Sequence, residues 1–339
     1  MIPVKKSAAV ARGLREAFGV TEFDEIDLLT KGQTSALVFR IVVGGAPYLL
    51  RIIMRSDDPT RHFACMRAAA QAGLAPHVWY TSVEDRLSIT DFVEAVPFAV
   101  EEALVKMAAT LRAVHALPPF GGVEKHLNTT CTFLLHEGPA LKGLLEKFGA
   151  VETLTVDERD ELLARYAEVA VVYPRDGSEM VSSHNDLFKP DNVLFDGERV
   201  WLVDWEAAFL NDRYVDLAVV ANHVVTNEAE EREYLLAYFG QAPDEYQRAR
   251  FFLMRQLVHV FYAMAFLYLG ASGGHGALKE PLPGFDEFRR RFWNGEVRLE
   301  DNPTKVLYGR IHLERVLQNT QEARFHDALR IVAERSGRG

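Results

Sequence analysis

SHNDLFKPDNVLF at 183–195 and WLVDWE at 201–206 are the two stretches on which the reading of this chain turns. They set a His-x-Asp element (His184, Asp186), an amide (Asn192) and a second acid (Asp204) close together, separated by apolar runs of β type. Phosphoryl transfer from a nucleotide requires such a set. One carboxylate orients the accepting hydroxyl, while an amide and a second carboxylate hold magnesium on the phosphates. A surface loop carries Asp and Asn by chance, but chance rarely places them at the ends of two successive strand-like runs.

Working outward, the chain before this block alternates strands and turns. Ile26 to Leu29 leads into Lys31-Gly32-Gln33-Thr34-Ser35, and Ala36 to Val43 is rich in branched residues. Gly44-Gly45 is a hairpin turn signal, and Tyr48 to Met54 reads as the next strand. Residues 60–72 have helical composition and end at Gly73. Val78 to Ser82 and Leu87 to Phe92 read as two further strands. Three strands, a helix and two strands make a small α+β lobe over 1–95. After Pro97, apolar positions recur at three and four spacing over 98–117. Helical segments are expected within 133–170, at 215–239, at 243–269 and from Phe285 onward, with a Gly- and Pro-rich loop at 271–284. The expected architecture is α+β and two-lobed: a β-rich lobe at 1–95 and a mostly helical lobe at 96–339 that carries the polar constellation.

The composition is that of an ordinary globular protein, 48% hydrophobic and 25% charged over 339 residues. A formal net charge of −10 argues against a reader of phosphate backbones, which carries a basic stripe. Two cysteines, Cys65 and Cys131, build neither a metal framework nor a disulfide scaffold, and fit a reducing compartment. The stretch MIPVKKSAAVARGLREAF places charges inside its only apolar run, so it shows no signal-peptide core. The apolar run Leu257 to Gly270 is too short to span a bilayer and reads as a buried helix. A soluble, cytoplasmic protein with no nucleic-acid or membrane partner is expected, its oligomeric state open.

HNDLFKPDN, followed by VDWEAAFLNDRYVDLA at 203–218, resembles the aminoglycoside phosphotransferase and choline/ethanolamine kinase superfamily, small-molecule kinases with a protein-kinase-like fold. MAATLRAVHAL at 107–117 is similar to the family's helix ending in a Leu-His-x-Leu pattern. The resemblance implies an ATP- and Mg²⁺-dependent phosphotransferase acting on a hydroxyl of a small molecule, with GTP open as an alternative donor. It implies that Asp186 is the catalytic-loop carboxylate, that Asp204 is a metal ligand, and that Asn192 is the loop asparagine on the metal. The family's spacing from Asp to Asn is five and here it is six, so Asp191 is the alternative. His184 is implied as packing within the loop, and Asp216 as a buried acceptor of the loop's backbone amides.

On the nucleotide side, Arg51 stands where kinases place a strand lysine on the α- and β-phosphates, and its fork suits phosphate. The glutamate that should pair with it from the next helix is missing, since residues 61–72 contain no acid. His62 or Cys65 sits near that place, and Asp57 or Asp58 is a possible substitute. Lys31, Gly32, Gln33, Thr34 and Ser35 are implied as a phosphate-covering loop, with a plain hairpin as the alternative. Asp91, Phe92 and Val93 occupy the stretch whose backbone would bind an adenine edge. For the acceptor, Tyr262 matches the first Trp of the choline-kinase W-x-x-W helix, while Ala265 replaces the second. Aromatic faces attract quaternary ammonium, and Glu206 offers a charge to a cationic acceptor. An aromatic core helix accounts for the same residues without a ligand.

Two other readings stand beside the kinase. One is a catalytically impaired kinase-like protein that binds nucleotide or a protein partner, suggested by the missing helix glutamate and the altered loop spacing. The other is a metal hydrolase built on His184, Asp186 and Asp204, which lacks a second clustered histidine. The acceptor, a choline- or ethanolamine-like amino alcohol or an aminoglycoside-like sugar, is not legible in the sequence.

Overall fold

The computed structural model of the chain describes residues 2–29, 36–56, 58–120, 154–271, 281–335 and 337. The loop 31–35, Asp57, Cys131, residues 133–153 of the stretch expected to hold helical segments over 133–170, and residues 272–280 of the expected Gly- and Pro-rich loop lie outside these residues. The expected α+β class is what the described residues adopt: a five-stranded antiparallel sheet and a larger, mostly helical part. Contacts divide the chain into two compact units. One takes in Met1–Val96 and Asn192–Ala208, with Phe120; the other takes in Pro97–Pro119, the described residues up to Asp191, and Phe209–Gly339.

In the first unit, β1 (Glu25–Leu28), β2 (Ala36–Val43), β3 (Ala46–Ile53), β4 (Val78–Ser82) and β5 (Leu87–Asp91) form a sheet in the order β1-β2-β3-β5-β4. Gly44 and Gly45 have φ of 60° and 80°, the left-handed geometry that lets a two-residue turn follow the twist of β2 and β3. Alternate residues Phe39, Ile41, Leu50, Ile52, Leu87 and Ile89 bury one face of the sheet. That face is covered by a helix the sequence reading did not anticipate, α1 (Val4–Phe18). Val10 and Leu14 of α1 enter the core. Gly13 brings the helix so close that a Cβ there would lie 3.0 Å from the Tyr80 ring. Between β3 and β4 runs α2 (Thr60–Gln71), as expected. The hairpin β7 (Val193–Phe195) and β8 (Val200–Leu202) also belongs to this unit, docked by hydrogen bonds from Leu202 N to Leu74 O and from Val96 N to Phe195 O.

In the second unit, α3 (Val100–His115) buries Ala103, Leu104, Met107, Ala108, Leu111 and Val114, the three-and-four stripe read from the sequence. It is followed by α4 (Val156–Val172), which begins with a Thr155–Glu158 capping box. β6 (Met180–Ser183) pairs antiparallel with β9 (Phe209–Asp212). The stretch expected to be helical over 215–239 is two helices, α5 (Arg213–Val224) and α6 (Glu228–Phe239). The break is at Asn227, whose side chain caps the amides of Ala229 and Glu230. The long helix α7 (Glu245–Ala271) packs against α9 (Asn302–Thr320). At Gly309 an added Cβ would lie 2.8 Å from the backbone of Leu267, so only glycine permits this approach. α8 (Phe285–Trp293) and α10 (Ala323–Arg335) complete the unit. By length and composition α7 is long and apolar enough to cross a membrane, but 78% of its most apolar window is buried inside the fold.

Candidate active site

The second unit holds the His-x-Asp loop by its backbone. The end of β6 delivers His184, Asn185 and Asp186, all buried. Asp216, in the first turn of α5, accepts the amides of His184 at 2.8 Å and Asn185 at 2.9 Å. A third partner comes from α3, where His115 Nε2 lies 3.4 Å from the same carboxylate and its Nδ1 lies 2.6 Å from the Tyr238 hydroxyl. Burial pushes the Asp216 carboxyl up, but His115 and His184 outweigh it and hold the carboxyl below its ordinary value. Asn185 has a left-handed backbone, φ 65°, and its side-chain oxygen accepts the Asn211 amide at 2.7 Å. Asp186 therefore leaves a loop whose direction is fixed on both sides, and Lys189 Nζ lies 2.8 Å from its carboxylate. His115 is a loop-holding residue that the sequence reading did not single out, although it belongs to the quoted His-x-Leu ending.

In the first unit, the β7–β8 hairpin gathers the amide and the second acid. Val193 pairs with Leu202, and Val203 N donates to Asn192 O at 3.0 Å. Asn192 and Asp204 thus flank the same end of the hairpin. Between the two alternatives for the loop amide, Asn192 is 5% exposed whereas Asp191 is solvent-exposed. The extra residue between Asp186 and Asn192 is taken up in a turn at 187–189 and a 3₁₀ turn over Pro190–Asn192. Asp204 has φ 66°. Among the described non-glycine residues only Asp204, Asn185 and Arg86 are left-handed, and Arg86 lies in the β4–β5 turn. Two of the three therefore sit in the read constellation, where backbone strain tends to collect.

Arg51 of β3 comes to this hairpin end. Its guanidinium is 2.9 Å from Asp204 Oδ1 and 3.3 Å from Glu206 Oε2. Arg55 is 2.5 Å from the same Glu206 oxygen. The partner that α2 was expected to lack is supplied by the turn after β8. Asp58 does not substitute for it, because its carboxylate caps α2 at Thr60. Glu206, read as a charge for a cationic acceptor, has its carboxylate engaged by two arginines. Burial and the neighbouring Asp204 charge push the Glu206 carboxyl up against the pull of those arginines. His62 of α2 is buried beside this cluster; burial and the charge of Arg51 push its imidazole down to about 3, so it stays neutral. Arg61, also on α2, donates to the carbonyls of Glu206, at 2.9 Å, and Ala208. Arg55 and Arg61 had no motif to announce them, whereas His62 was placed near the missing helix acid.

Asp204 and Asn192 offer hard oxygen donors at one hairpin end. That suits magnesium, which takes one or two carboxylates and fills its octahedron with water and phosphate oxygens. Among the described residues no group of three or more His, Cys, Asp or Glu side chains is placed to hold a metal ion. Asp91 ends β5; its side chain accepts Trp79 Nε1 at 2.7 Å. With Phe92 and Val93 it lines a cavity of about 420 Å³. Tyr262 on α7 is 1% exposed and ringed by Phe188 of the loop, Phe266, Tyr308 and His312. That is the geometry of an aromatic core helix.

A model of the phosphotransferase enzyme family (APH) matches residues 26–252. No curated protein matches the chain. A choline/ethanolamine kinase family protein from Mesorhizobium loti superposes with a TM-score of 0.61 at 19% identity, over 97% of this chain and 99% of that one. Choline kinase from Cryptosporidium parvum does so with a TM-score of 0.59 at 12% identity, over 91% and 92%. A spectinomycin phosphotransferase in complex with ADP and spectinomycin gives 0.50 at 12% identity, over 90% and 98%. At these identities the likeness is one of fold, the protein-kinase-like arrangement of a small antiparallel sheet and a larger helical part. With the match covering well over half of its 339 residues, the chain belongs to the APH phosphotransferase family.

Proposed function

We propose that this protein transfers the γ-phosphoryl group of a magnesium-bound nucleotide, ATP in the first instance, to a hydroxyl of a small molecule. The observation that carries the reading is the Arg51–Asp204 pair at the hairpin end that also presents Asn192. A cation for phosphates and two oxygen ligands for magnesium are thereby collected on one element pair. Asp204 and Asn192 would hold the metal, which supplies charge neutralisation on the phosphates. Arg51 binds phosphate oxygens through its fork. Asp186, its loop clamped by Asp216, orients the acceptor hydroxyl and takes its proton, and Lys189 keeps that carboxylate in place. Positioning and charge do most of the work in such transfers, which is why a clamped loop matters more than a strongly basic carboxylate. The backbone at 91–93 is the adenine-edge candidate, and residues 31–35 the phosphate cover. An amino alcohol such as choline or ethanolamine, or an aminoglycoside-like sugar, is the acceptor class that the similar structures suggest. Tyr262 and Glu206 are the residues first to vary in testing it.

The reading of an impaired binder rested on the missing helix glutamate and the altered loop spacing. Glu206, 3.3 Å from Arg51, supports the kinase reading on the first of these grounds. The test is transfer from labelled ATP with Mg²⁺ over a panel of amino alcohols, aminoglycosides and simple sugars. Asp186→Ala is expected to lower transfer by about 10²–10⁴-fold while nucleotide affinity holds, and Asp204→Ala to weaken Mg-nucleotide binding as well. Undiminished transfer by the Asp186 variant on a verified acceptor would sink the assignment.

A further inference from the structure

The charge cluster at the end of the hairpin contains more than one nucleotide arginine requires. Arg51 contacts two carboxylates at once, Asp204 at 2.9 Å and Glu206 at 3.3 Å, while Arg55 closes on Glu206 at 2.5 Å. Two cations and two anions balance, but not symmetrically. Asp204 is the carboxylate a metal would claim; Glu206 has no such competing demand. Its position is also the better fixed of the two. The turn that carries it, Trp205–Ala207, is anchored by the buried Trp205, whose Nε1 donates to Leu202 O at 3.0 Å. Arg61 of α2 holds the carbonyls of Glu206 and Ala208. Asp204, by contrast, sits in left-handed backbone at the entrance to that turn.

We infer that Glu206 is the positioning residue that frees Asp204 for the metal, and that Arg55 is a second contact for the nucleotide phosphates; the inference rests on the kinase reading above. Without nucleotide, Arg51 neutralises Asp204. With its Asp204 partner given over to a metal, Arg51 would turn toward phosphate, still tethered through its other nitrogen to Glu206. Arg55, bound to the same Glu206 oxygen, would be drawn into the same polyphosphate. Glu206 thus does from the metal-binding turn what a helix carboxylate would otherwise do from α2. Because a single turn carries both Asp204 and Glu206, metal and arginine are placed together.

The test measures nucleotide affinity by fluorescence with a labelled ATP analogue, titrating Mg²⁺ at fixed nucleotide, for wild type, Glu206→Gln, Glu206→Asp and Arg55→Ala. Glu206→Gln is expected to weaken Mg-nucleotide binding by about tenfold, the worth of one charge-assisted hydrogen bond. It should also raise the Mg²⁺ concentration at half-saturation, since Arg51 then competes with the metal for Asp204. Glu206→Asp should restore part of both effects. Arg55→Ala should weaken nucleotide binding and leave the Mg²⁺ half-saturation where it was. A merely structural role would shift stability and leave the Mg²⁺ dependence untouched. Wild-type affinity and Mg²⁺ dependence in Glu206→Gln overturn the inference while leaving the kinase reading intact. Should that variant fail to fold, an Arg55→Ala protein that binds nucleotide as wild type does overturns it instead. A wild-type protein that binds no Mg-nucleotide overturns the kinase reading, and this one with it.

Discussion

The two ends of the read constellation hold their carboxylates by opposite means. Asp186 is aimed by backbone: the amides before it are tied to Asp216, which is itself completely buried and bonded to His115. Asp204 is aimed by charge, with Arg51 against it and Glu206 beside it, and these side chains are 16–23% exposed. A backbone clamp cannot be exchanged without unfolding the loop. A charge pair can be handed to another partner of the same sign. The difference matches the tasks proposed for them, since a hydroxyl must meet a carboxylate of fixed direction, whereas a metal must displace a cation.

Removing a charge from each side gives the sharpest way to break this comparison. Asp216→Ala leaves two buried amides and the His115 ring without their acceptor, and is expected to cost about 3–5 kcal/mol of stability. Glu206→Gln takes the same charge from a partly exposed pair, where the stability effect should stay within about 1 kcal/mol. Urea unfolding of the two variants measures both. Equal losses would show that the two carboxylates are held alike.

Acid is the next probe, and it acts on both units. His62 in the first and His223 in the second are buried, and each imidazole is pushed down to about 3, by burial and then by Arg51 and Arg289 respectively. Unfolded, each returns to about 6.5. Between these values the unfolded chain binds more protons than the folded one, so stability rises with pH and is lost as pH falls below about 6.5. At pH 5 each histidine removes about 2 kcal/mol relative to pH 7. The lowered Asp216 carboxyl adds loss in the same direction at lower pH. Among the described residues neither ring nitrogen of His223 has a hydrogen-bond partner, and the ring stacks on Phe292. His223→Leu should therefore keep its stability at pH 7 and flatten the change between pH 7 and pH 5 by about the 2 kcal/mol that histidine removes there. An unchanged slope in that variant would contradict the assignment.

How far the sequence could be read follows from how far apart the partners are in it. The His-x-Asp loop, the two acids and their flanking strands lie within one short stretch, where the motif and the apolar runs between its members reported them. The α3 stripe and the Gly44-Gly45 turn were legible for the same local reason. The pairs that hold the site are remote: Arg51 and Glu206 are 155 residues apart, His115 and Asp216 are 101 apart. No pattern along the chain links such positions, so Glu206 read as a charge for a ligand when it faces two arginines. The helix α1 escaped because its core contacts are Val10 and Leu14, set among alanines, a glycine and charges. In Tyr262 an aromatic match to a ligand-binding motif and an aromatic core residue look identical until burial separates them.

Arg61→Ala carries the smallest expected effect and tests the comparison at its hinge. Arg61 is the α2 side chain that reaches the turn after β8, and it brings a cation to backbone carbonyls where a carboxylate for Arg51 was expected. Its loss leaves the Glu206 carbonyl without this donor and the Ala208 carbonyl to Cys65 Sγ, 3.8 Å away. The site is only partly buried and water can replace the donor, so the stability cost should be about 1 kcal/mol. The Trp205 anchor stays in place. If charge alone aimed the cluster, Arg51 and Glu206 would find each other regardless, and nucleotide affinity would not move. If the turn must be held for Glu206 to keep Arg51 off Asp204, affinity falls and the Mg²⁺ requirement rises, in the same direction as for Glu206→Gln but less far. Arg61→Lys, which keeps the charge with a single-point donor, should lie between. Comparing these variants by nucleotide titration at two Mg²⁺ concentrations separates a cluster that is charge-aimed throughout from one whose aim still depends on backbone. An unmoved affinity in Arg61→Ala would mean that the turn after β8 needs no help from α2.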